Sequence, residues 1–560
     1  MSPNYLLFVQ ILVIKRWVNK FDVCYNIVYF DHFTISTSMK TQQTDILIIG
    51  GGATGTGIAR DLALRGVNSI LVEKDDINAG ASGGNHGLLH SGARYVAKDI
   101  ESARACKKEG DILKRIAPHC IENTGGLFVA VEGDDEKFIA DFPQFCQKSG
   151  IPCQEISIDD ARAQEPVLSE RLIAAYQVED ASIDPFRLSL ENISQAQDLG
   201  STLLQHTSVK EFVIEANKIK AIIVLNHITG EEMKIEASQI INAAGAWAGE
   251  VAALAGCQIN MLYSKGSLLI TQDRLSSRVI NRLRPAGDAD ILVPGGTVSI
   301  LGTTSIRIDQ LDDIRPTVQE VDFIIQEGAL MVPMLEEVRY TRAFSGVRPL
   351  VGIETGSGDR SVSREFSLID HTQDKVDNFI TITGGKLTTY RQMAEKTVDL
   401  VCLRLGVNEA CSTHLVTLPA AHTCQWTEPG GGPKTWLKHH APDDQLLCEC
   451  EMIPQSAIDE IANDIKKQNE APDLISIGLR SRVGKGTCQG SFCSPRIVGY
   501  LYDHELTDGN KGIISQKEFL KERWKGQRAI YWGDQLSQSE LSEAIHCGLF
   551  SLELQNPETT

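Results

Sequence analysis

The stretch TDILIIGGGATGTGIARD, running from Thr44 to Asp61, decides the fold. Its first seven residues form a short, isoleucine-rich run closed by glycine, the pattern of a strand buried on both faces of a parallel sheet. The run leads straight into Gly50-Gly51-Gly52-Ala53-Thr54-Gly55, and a helical pattern continues to about Gly66. A second apolar strand, Ser69–Val72, ends on Glu73. Strand, GxGxxG, helix, strand and acidic end follow one another within about thirty residues, the order that binds a dinucleotide. Gly50 permits the tight turn, Gly52 lets the backbone approach a pyrophosphate, and Gly55 lets helix and strand pack closely. The helix N-terminus offers N–H groups and partial positive charge to the phosphates, and Glu73 is placed to accept from an adenosine ribose.

Around this unit the composition is that of an ordinary globular protein: 560 residues, 42% apolar and 23% charged. The net charge of −19 argues against a general nucleic-acid binder and leaves room for a local basic pocket. Fourteen cysteines without a secretory signal point to a reducing compartment, where clustered cysteines mean metal or redox chemistry before disulfides. No apolar run reaches the ~20 residues that cross a bilayer. The longest, Tyr5–Ile14, is broken by Gln10. Residues 1–38 carry eight aromatics and no period, a texture foreign to a chain that is 6% aromatic overall. Translation is expected to begin at Met39, with the leader a gene-model extension; the rival reading is a membrane-surface segment with Lys15, Arg16 and Lys20 as its basic side.

The dinucleotide motif does not choose between FAD and NAD. Three later segments bear on the same site. Asp75–Gly92 contains Ala81-Ser82-Gly83-Gly84-Asn85-His86-Gly87; Ile240–Trp247 is a strand that breaks at Gly245; Gly384-Gly385-Lys386-Leu387-Thr388-Thr389-Tyr390 follows a strand, Phe379–Thr383, and opens a helix to about Leu405. Together they bracket one nucleotide fold whose pieces are separated by insertions.

In GGGATGTGIARD (50–61), HSGARY (90–95), NAAGAW (242–247), KGSLL (265–269), LGTTS (301–305), SGVRPL (345–350) and GGKLTTYR (384–391), the stretch from Met39 to about Leu405 resembles the flavin-dependent glycerol-3-phosphate dehydrogenases, within the D-amino-acid-oxidase-like group. The resemblance implies an α/β fold: a Rossmann-like FAD-binding domain with an inserted antiparallel-sheet substrate domain. It also implies FAD as cofactor, held by Gly50, Gly52, Gly55, Glu73, Ser82, Gly245, Gly384, Gly385 and Thr388. The implied substrate is sn-glycerol 3-phosphate, oxidised to dihydroxyacetone phosphate by loss of the C2 hydride to flavin and of the C2 hydroxyl proton. A phosphomonoester is dianionic and calls for fixed cations. The family's substrate residues map onto Arg94, Tyr95, Arg348, Arg364 and Lys386, with His90, Arg348 and Lys386 as the catalytic set. Aerobic members carry a histidine three positions after the lysine of the KGS motif, where this chain has Leu268, so that residue's role as base does not carry over. His90 is the preferred proton acceptor, its rival role being a neutral hydrogen-bonding scaffold.

Residues 406–445, with Pro429-Gly430-Gly431-Gly432-Pro433, read as a linker. Beyond it stand Cys448-Glu449-Cys450 and Cys488-Gln489-Gly490-Ser491-Phe492-Cys493, joined by helices expected at about 454–467 and 472–481. Four cysteines hold either zinc or a 2Fe–2S cluster, and CxC with CxxxxC departs from the CxxC knuckles of structural zinc. Gly484, Gly486 and Gly490 would let N–H groups approach sulfur, and Arg480, Arg482 and Lys485 would offset a cluster's negative charge. Residues 446–500 resemble the bacterioferritin-associated-ferredoxin-like 2Fe–2S domain, a small helical C-terminal iron–sulfur unit, which brings the likeness closer to the anaerobic branch of the dehydrogenases. That branch implies a B subunit, a membrane-anchoring iron–sulfur C subunit, electrons passed to quinone in anaerobic respiration, room for FMN in the assembled complex, and a peripheral location on the cytoplasmic side of the inner membrane. The tail, residues 501–560, is either a partner surface, through Trp524, Tyr531, Trp532 and Phe550, or packing for its own domain. The competing readings are an FAD dehydrogenase of another hydroxy- or amino-acid, which would lack the cationic pocket, and a non-catalytic electron-transfer subunit, which would have no use for GGKLTTYR and HSGARY.

Overall fold

The computed structural model describes residues 39–352, 365–420, 422–428, 430–467 and 470–553. The opening strand β1 (Lys40–Ile49) has Ile46, Leu47 and Ile48 at 0% exposure. Ile46 and Ile48 pack with Ile58 and Leu62 of helix α1 (Ala53–Leu64) and with Val398 and Val401 of the helix Tyr390–Leu405. Leu47 and Ile49 face the other way, onto Phe212, Ile222 and Ile235. Burial on both faces is why the last four residues of this strand, Ile46–Ile49, are all apolar rather than alternating. Strand β2 (Ser69–Val72) pairs with β1 in parallel, from Ile46↔Ser69 to Ile49↔Val72. The next strand beside β2 is Thr202–Leu204, so the chain leaves the nucleotide fold after β2 and returns far along the sequence. It leaves again after Glu232–Asn242 and comes back with Phe366–Asp370 and then Phe379–Gly384, the latter pairing in parallel with Glu232–Asn242.

The two excursions build a second sheet of nine strands. Most of its pairs are antiparallel, as in the long hairpin-like pairing of Met261–Thr271 with Tyr340–Val351. One pair, Val279–Arg282 on Gly126–Val131, is parallel. Each of those strands comes from a different excursion, so no turn joins them and nothing forces antiparallel entry. The helix Val318–Met331 covers one face, packing Val321 and Ile324 on Leu269, Leu292 and Leu301. On that same face Lys265 and Ser267 reach Glu320, at 2.8 and 2.7 Å. Burial alone would raise the Glu320 carboxyl, but hydrogen bonds from Lys265, Ser267, the Thr317 N–H and Thr304 hold it below its ordinary range.

Within residues 406–445 the segment 413–418 is packed rather than strung between domains. Arg60 on α1, 1% exposed, donates to Gln195 Oε1 at 2.6 Å and to the carbonyls of Thr413 and Val416 at 3.3 and 2.6 Å. Leu418 joins a core with Ala53 and Leu113. Gly430, with a positive φ, caps the helix Gly431–Lys438, while a buried guanidinium seeking acceptors does the tethering.

The cysteine-bearing module has a two-stranded sheet, Leu446–Cys448 with Ile453–Pro454, and helices Gln455–Lys467, Leu474–Leu479 and Cys493–Asp503. The tail packs back: Trp524 and Phe519 lie in the module's core, and Ile530 lies in the core of the substrate sheet. Of its four aromatics Trp532, 69% exposed, is the one that faces solvent openly. Among the described residues no helix is long and apolar enough to cross a membrane.

Removing the Lys265 ammonium leaves the Glu320 carboxylate buried without its cation. Lys265→Met is expected to destabilise by about 3 kcal/mol, seen as a lower thermal midpoint. Because the folded-state value of Glu320 is depressed, its contribution is full above the unfolded value of ~4.3 and is lost as pH falls through the folded one. Acid unfolding should therefore begin at higher pH in the variant than in the parent.

Candidate active site

A cavity of about 520 Å³ opens where the ends of β1 and β2 meet the Gly-rich segment 79–86 and the substrate sheet. Gly50, Gly52, Glu73, Ser82, Gly245, Gly384, Gly385 and Thr388 line it, together with His90, Arg94, Tyr95, Arg348 and Lys386. Gly55 does not. It lies one layer behind, where a β-carbon would overlap the Gly50 carbonyl oxygen, as its packing role requires. Gly50 has φ +111°, and a β-carbon there would stand 2.6 Å from the Ala243 carbonyl oxygen, where the Glu232–Asn242 strand ends.

Glu73 also has a role in the backbone of the cradle. Its carboxylate accepts from the Gly51 N–H at 2.6 Å and the Asp75 N–H at 2.9 Å, bracing the glycine turn, and burial pushes the carboxyl above its usual range. Ser82 Oγ accepts from the Ala53 N–H at 3.0 Å, taking one free donor at the start of α1. Thr388 Oγ1 accepts from the His90 N–H at 3.3 Å, tying the HSGARY segment to GGKLTTYR. Gly384 and Gly385 both have positive φ, +85° and +73°, and a β-carbon on Gly385 would meet Met393 Sδ at 2.5 Å.

The wall facing the nucleotide cradle comes from the substrate sheet. Arg348 lies on Tyr340–Val351 opposite Ser264, and its guanidinium donates to the Thr304 carbonyl at 3.1 Å, to Ser264 Oγ at 3.4 Å and to Thr303 Oγ1. A β-carbon on Gly266 would overlap that guanidinium. The glycine of the KGS motif thus clears the space in which Arg348 lies, whereas Lys265 points to the opposite face. Leu268, 1% exposed, lines the cavity. Lys386 Nζ donates to Ser102 Oγ at 2.9 Å and lies 4.6 Å from the Tyr95 ring centroid. The His90 ring stands edge-on to Tyr95 at 5.3 Å. Arg94 is held by Asp290 at 3.2 Å and by the Gly287 carbonyl at 2.9 Å. Arg364 lies outside the described residues. The supporting groups Thr303, Ser102, Asp290 and Gly266 escape sequence reasoning; for Gly266 the signal is its place between two polar residues in an otherwise apolar strand.

The four cysteines converge. Cys450 Sγ lies 3.3 Å from Cys488 Sγ, and hydrogen bonds also join Cys448 to Cys450 and Cys493, and Cys488 to Cys493. Accepting from Cys450 and Cys493 holds the Cys448 and Cys488 thiols well below their usual range, while the two donors are pushed up. A ring of four sulfurs from two close pairs fits a four-thiolate centre. Gly486 approaches as expected, a β-carbon there standing 3.1 Å from Cys450 Sγ, and the Gly490 N–H donates to Cys488, while Gly484 backs onto Phe519. The expected charge compensation is not what the basic residues do. Arg480 pairs with Asp76 at 3.0 Å, Arg482 with Glu451 at 2.6 Å, and Lys485 donates to the Ser481 carbonyl at 2.7 Å. They are buried at the boundary with the nucleotide fold, where carboxylates and carbonyls are nearer than sulfur.

A glycine cradle at a helix N-terminus, an acidic residue after β2 and a sheet covering the cavity define a dinucleotide-binding protein of the two-domain kind, and comparison places it among the FAD-dependent oxidoreductases. Residues 45–391 match the family model described as FAD dependent oxidoreductase. The chain is 43% identical to the A subunit of the anaerobic glycerol-3-phosphate dehydrogenase of Escherichia coli K12, over 93% of this chain and 100% of that protein. It is 37% identical to the A1 subunit of the corresponding enzyme of Haloferax volcanii, over 90% of this chain and 89% of that one. In fold it is similar to the glycerol-3-phosphate dehydrogenase from Bacillus halodurans complexed with FAD, at a TM-score of 0.61 and 21% identity over 88% of this chain and 97% of that one. The chain belongs to the FAD-dependent oxidoreductases and, within them, to the family formed by the A subunits of anaerobic glycerol-3-phosphate dehydrogenases.

Gly55→Ala should break the turn that shapes the cradle. The purified variant is expected to lose its flavin absorbance while its far-ultraviolet circular dichroism stays close to that of the parent.

Proposed function

We propose that this chain is the catalytic subunit of a quinone-linked glycerol-3-phosphate dehydrogenase, oxidising sn-glycerol 3-phosphate to dihydroxyacetone phosphate. The observation that carries this reading is the Arg348 guanidinium, lying over Gly266 in the same cavity as the nucleotide cradle. A guanidinium at the cavity wall has a use if a dianionic phosphate binds there. In this reading Arg348 and Lys386 hold the phosphate, with Arg364 completing the set, and Tyr95 positions Lys386 through its ring. Arg94, already held by Asp290, orients that wall and adds its charge. His90 takes the C2 hydroxyl proton, kept in place by Thr388 on its backbone and Tyr95 beside its ring.

When bound, FAD supplies a two-electron acceptor, and a 2Fe–2S cluster on Cys448, Cys450, Cys488 and Cys493 supplies a one-electron carrier. The 2Fe–2S assignment rests on the convergent sulfurs and on the CxC and CxxxxC spacing. The relatives are named as one lettered subunit of a larger enzyme, which supports assembly with further subunits. These would be a B subunit and a membrane-anchoring iron–sulfur C subunit on the cytoplasmic side of the inner membrane, with quinone as acceptor and any FMN in the partners.

The anaerobic visible spectrum tests the reading: glycerol 3-phosphate should bleach the flavin band of the purified chain. Arg348→Ala should raise KM about 100-fold, the loss of ~3 kcal/mol of charge-assisted hydrogen bonding. Gly266→Ala, which displaces the same guanidinium, should raise KM with flavin content unchanged; an unaltered KM in both would refute the phosphate assignment. Cys450→Ser should lose bound iron while glycerol 3-phosphate still bleaches the flavin.

A further inference from the structure

The helix Gly533–Phe550 is 18 residues long, about 27 Å, and His546 is its one buried residue. A helix in water owes most of its stability to an apolar face packed on something else. The inner side of this one is thinly held. His546 places one ring nitrogen 3.0 Å from the Ser491 carbonyl and the other 2.7 Å from that of Ser542, with its ring edge-on to Trp524 at 5.1 Å. Ser539 bonds Gln527 at 2.8 Å, and Cys547 and Phe550 reach the module's core. The outer side carries more apolar surface than the inner. Leu541 is 61% exposed, Ile545 48% and Leu549 72%. Spaced four apart, they form one stripe along the helix, and Trp532 is exposed at its N-terminal end. A contiguous stripe of this kind marks an interaction surface, where a single exposed leucine would not.

Charge chooses between the possible covers. The helix carries Asp534, Glu540 and Glu543 and neither lysine nor arginine. Asp534 lies two turns before Leu541 on the stripe itself, and Glu540 borders it. Glu543 lies 3.9 Å from Arg528, whereas among the described residues Asp534 and Glu540 make no ion pair. A second copy of this chain would set these carboxylates against their own kind across a two-fold axis. An anionic membrane surface would repel them. A protein groove lined by apolar side chains and rimmed by lysine or arginine fits both the stripe and its acids.

The helix also lies beside the cysteines. Ser491, which His546 contacts, stands in the loop between Cys488 and Cys493, so a partner seated on the outer side is separated from that loop by one helix, about 10 Å. Phe492 in the same loop is 69% exposed, and Cys450 is the exposed member of the four cysteines, so the sulfur ring is not closed off from a neighbour.

We propose that the outer face of Gly533–Phe550 is the docking surface for the electron-accepting iron–sulfur C subunit, which takes Leu541, Ile545 and Leu549 into an apolar groove with a basic rim. The inference rests on the reading of this chain as one subunit of a larger enzyme and adds the surface that the partner uses.

The test uses the full-length, FAD-loaded chain produced together with its B and C subunits. With the photo-reactive p-benzoylphenylalanine in place of Leu541, illumination should give an adduct with the C subunit. Leu541→Glu and Ile545→Glu should each weaken binding of the C subunit at least about thirtyfold, with flavin content, bound iron and bleaching by glycerol 3-phosphate unchanged. Asp534→Lys should weaken it about tenfold and flatten its dependence on salt. An adduct with a second copy of this chain, with the B subunit or with lipid would overturn the proposal, as would a C subunit retained by both glutamate variants. If the parent binds neither subunit while glycerol 3-phosphate still bleaches its flavin, the assembly reading falls and takes this surface with it. A parent complex that the variants leave intact removes the surface alone.

Discussion

Where the substrate sheet meets the nucleotide fold, Gly346 lies so close to Gly84 that a β-carbon on it would overlap the Gly84 carbonyl oxygen. The two backbones touch without side chains between them, and every group in the active cavity is referenced to that contact. Gly346 lies two residues before Arg348 on the same strand, and Gly84 lies two after Ser82, which caps the first helix of the cradle. Moving the sheet outward by one methyl group would carry Arg348 away from the cradle. Two glycines far apart in sequence therefore set the width of the site.

The excursions that build the sheet are anchored by buried charges rather than by apolar packing alone. Arg391, the last residue of GGKLTTYR, is held by Glu109 at 2.7 Å and by Glu395 at 2.8 Å. Arg60 holds residues 413–416, and Lys265 holds the covering helix through Glu320. Such pairs add little net stability over an apolar replacement, but breaking one leaves a stranded charge. They make wrong registers expensive in a chain that leaves and re-enters its first sheet repeatedly.

The cysteine-bearing module is joined to the nucleotide fold by the same device. Arg480 reaches Asp76, whose other carboxylate oxygen accepts from the Ile77 N–H at 2.6 Å, at the start of the segment that runs under the cavity. Gly526 packs against Ala343 on the substrate sheet, so the module touches both parts of the oxidoreductase. Of the basic residues near the cysteines, Arg480 serves this junction, and Arg482 and Lys485 are taken by Glu451 and the Ser481 carbonyl rather than by sulfur.

The nucleotide fold is legible because local sequence carries it. A strand ending in four apolar residues, three glycines at fixed spacing and an acid after the next strand each act on the backbone within a few residues of themselves, and the structure reproduces β2 at Ser69–Val72 to the residue. The cysteine pairs are legible for the same reason, since their convergence needs two short turns and one small module. The packing of residues 413–418 is not, because nothing local announces it; Arg60, more than 350 residues away, decides it. Nor is the purpose of the KGS motif. Local sequence was enough to say which backbone segments can approach a dinucleotide and which sulfurs can meet. Which face of a strand looks into the site had to wait for tertiary pairing, because a strand's side chains alternate and one residue of register exchanges Lys265 for Gly266.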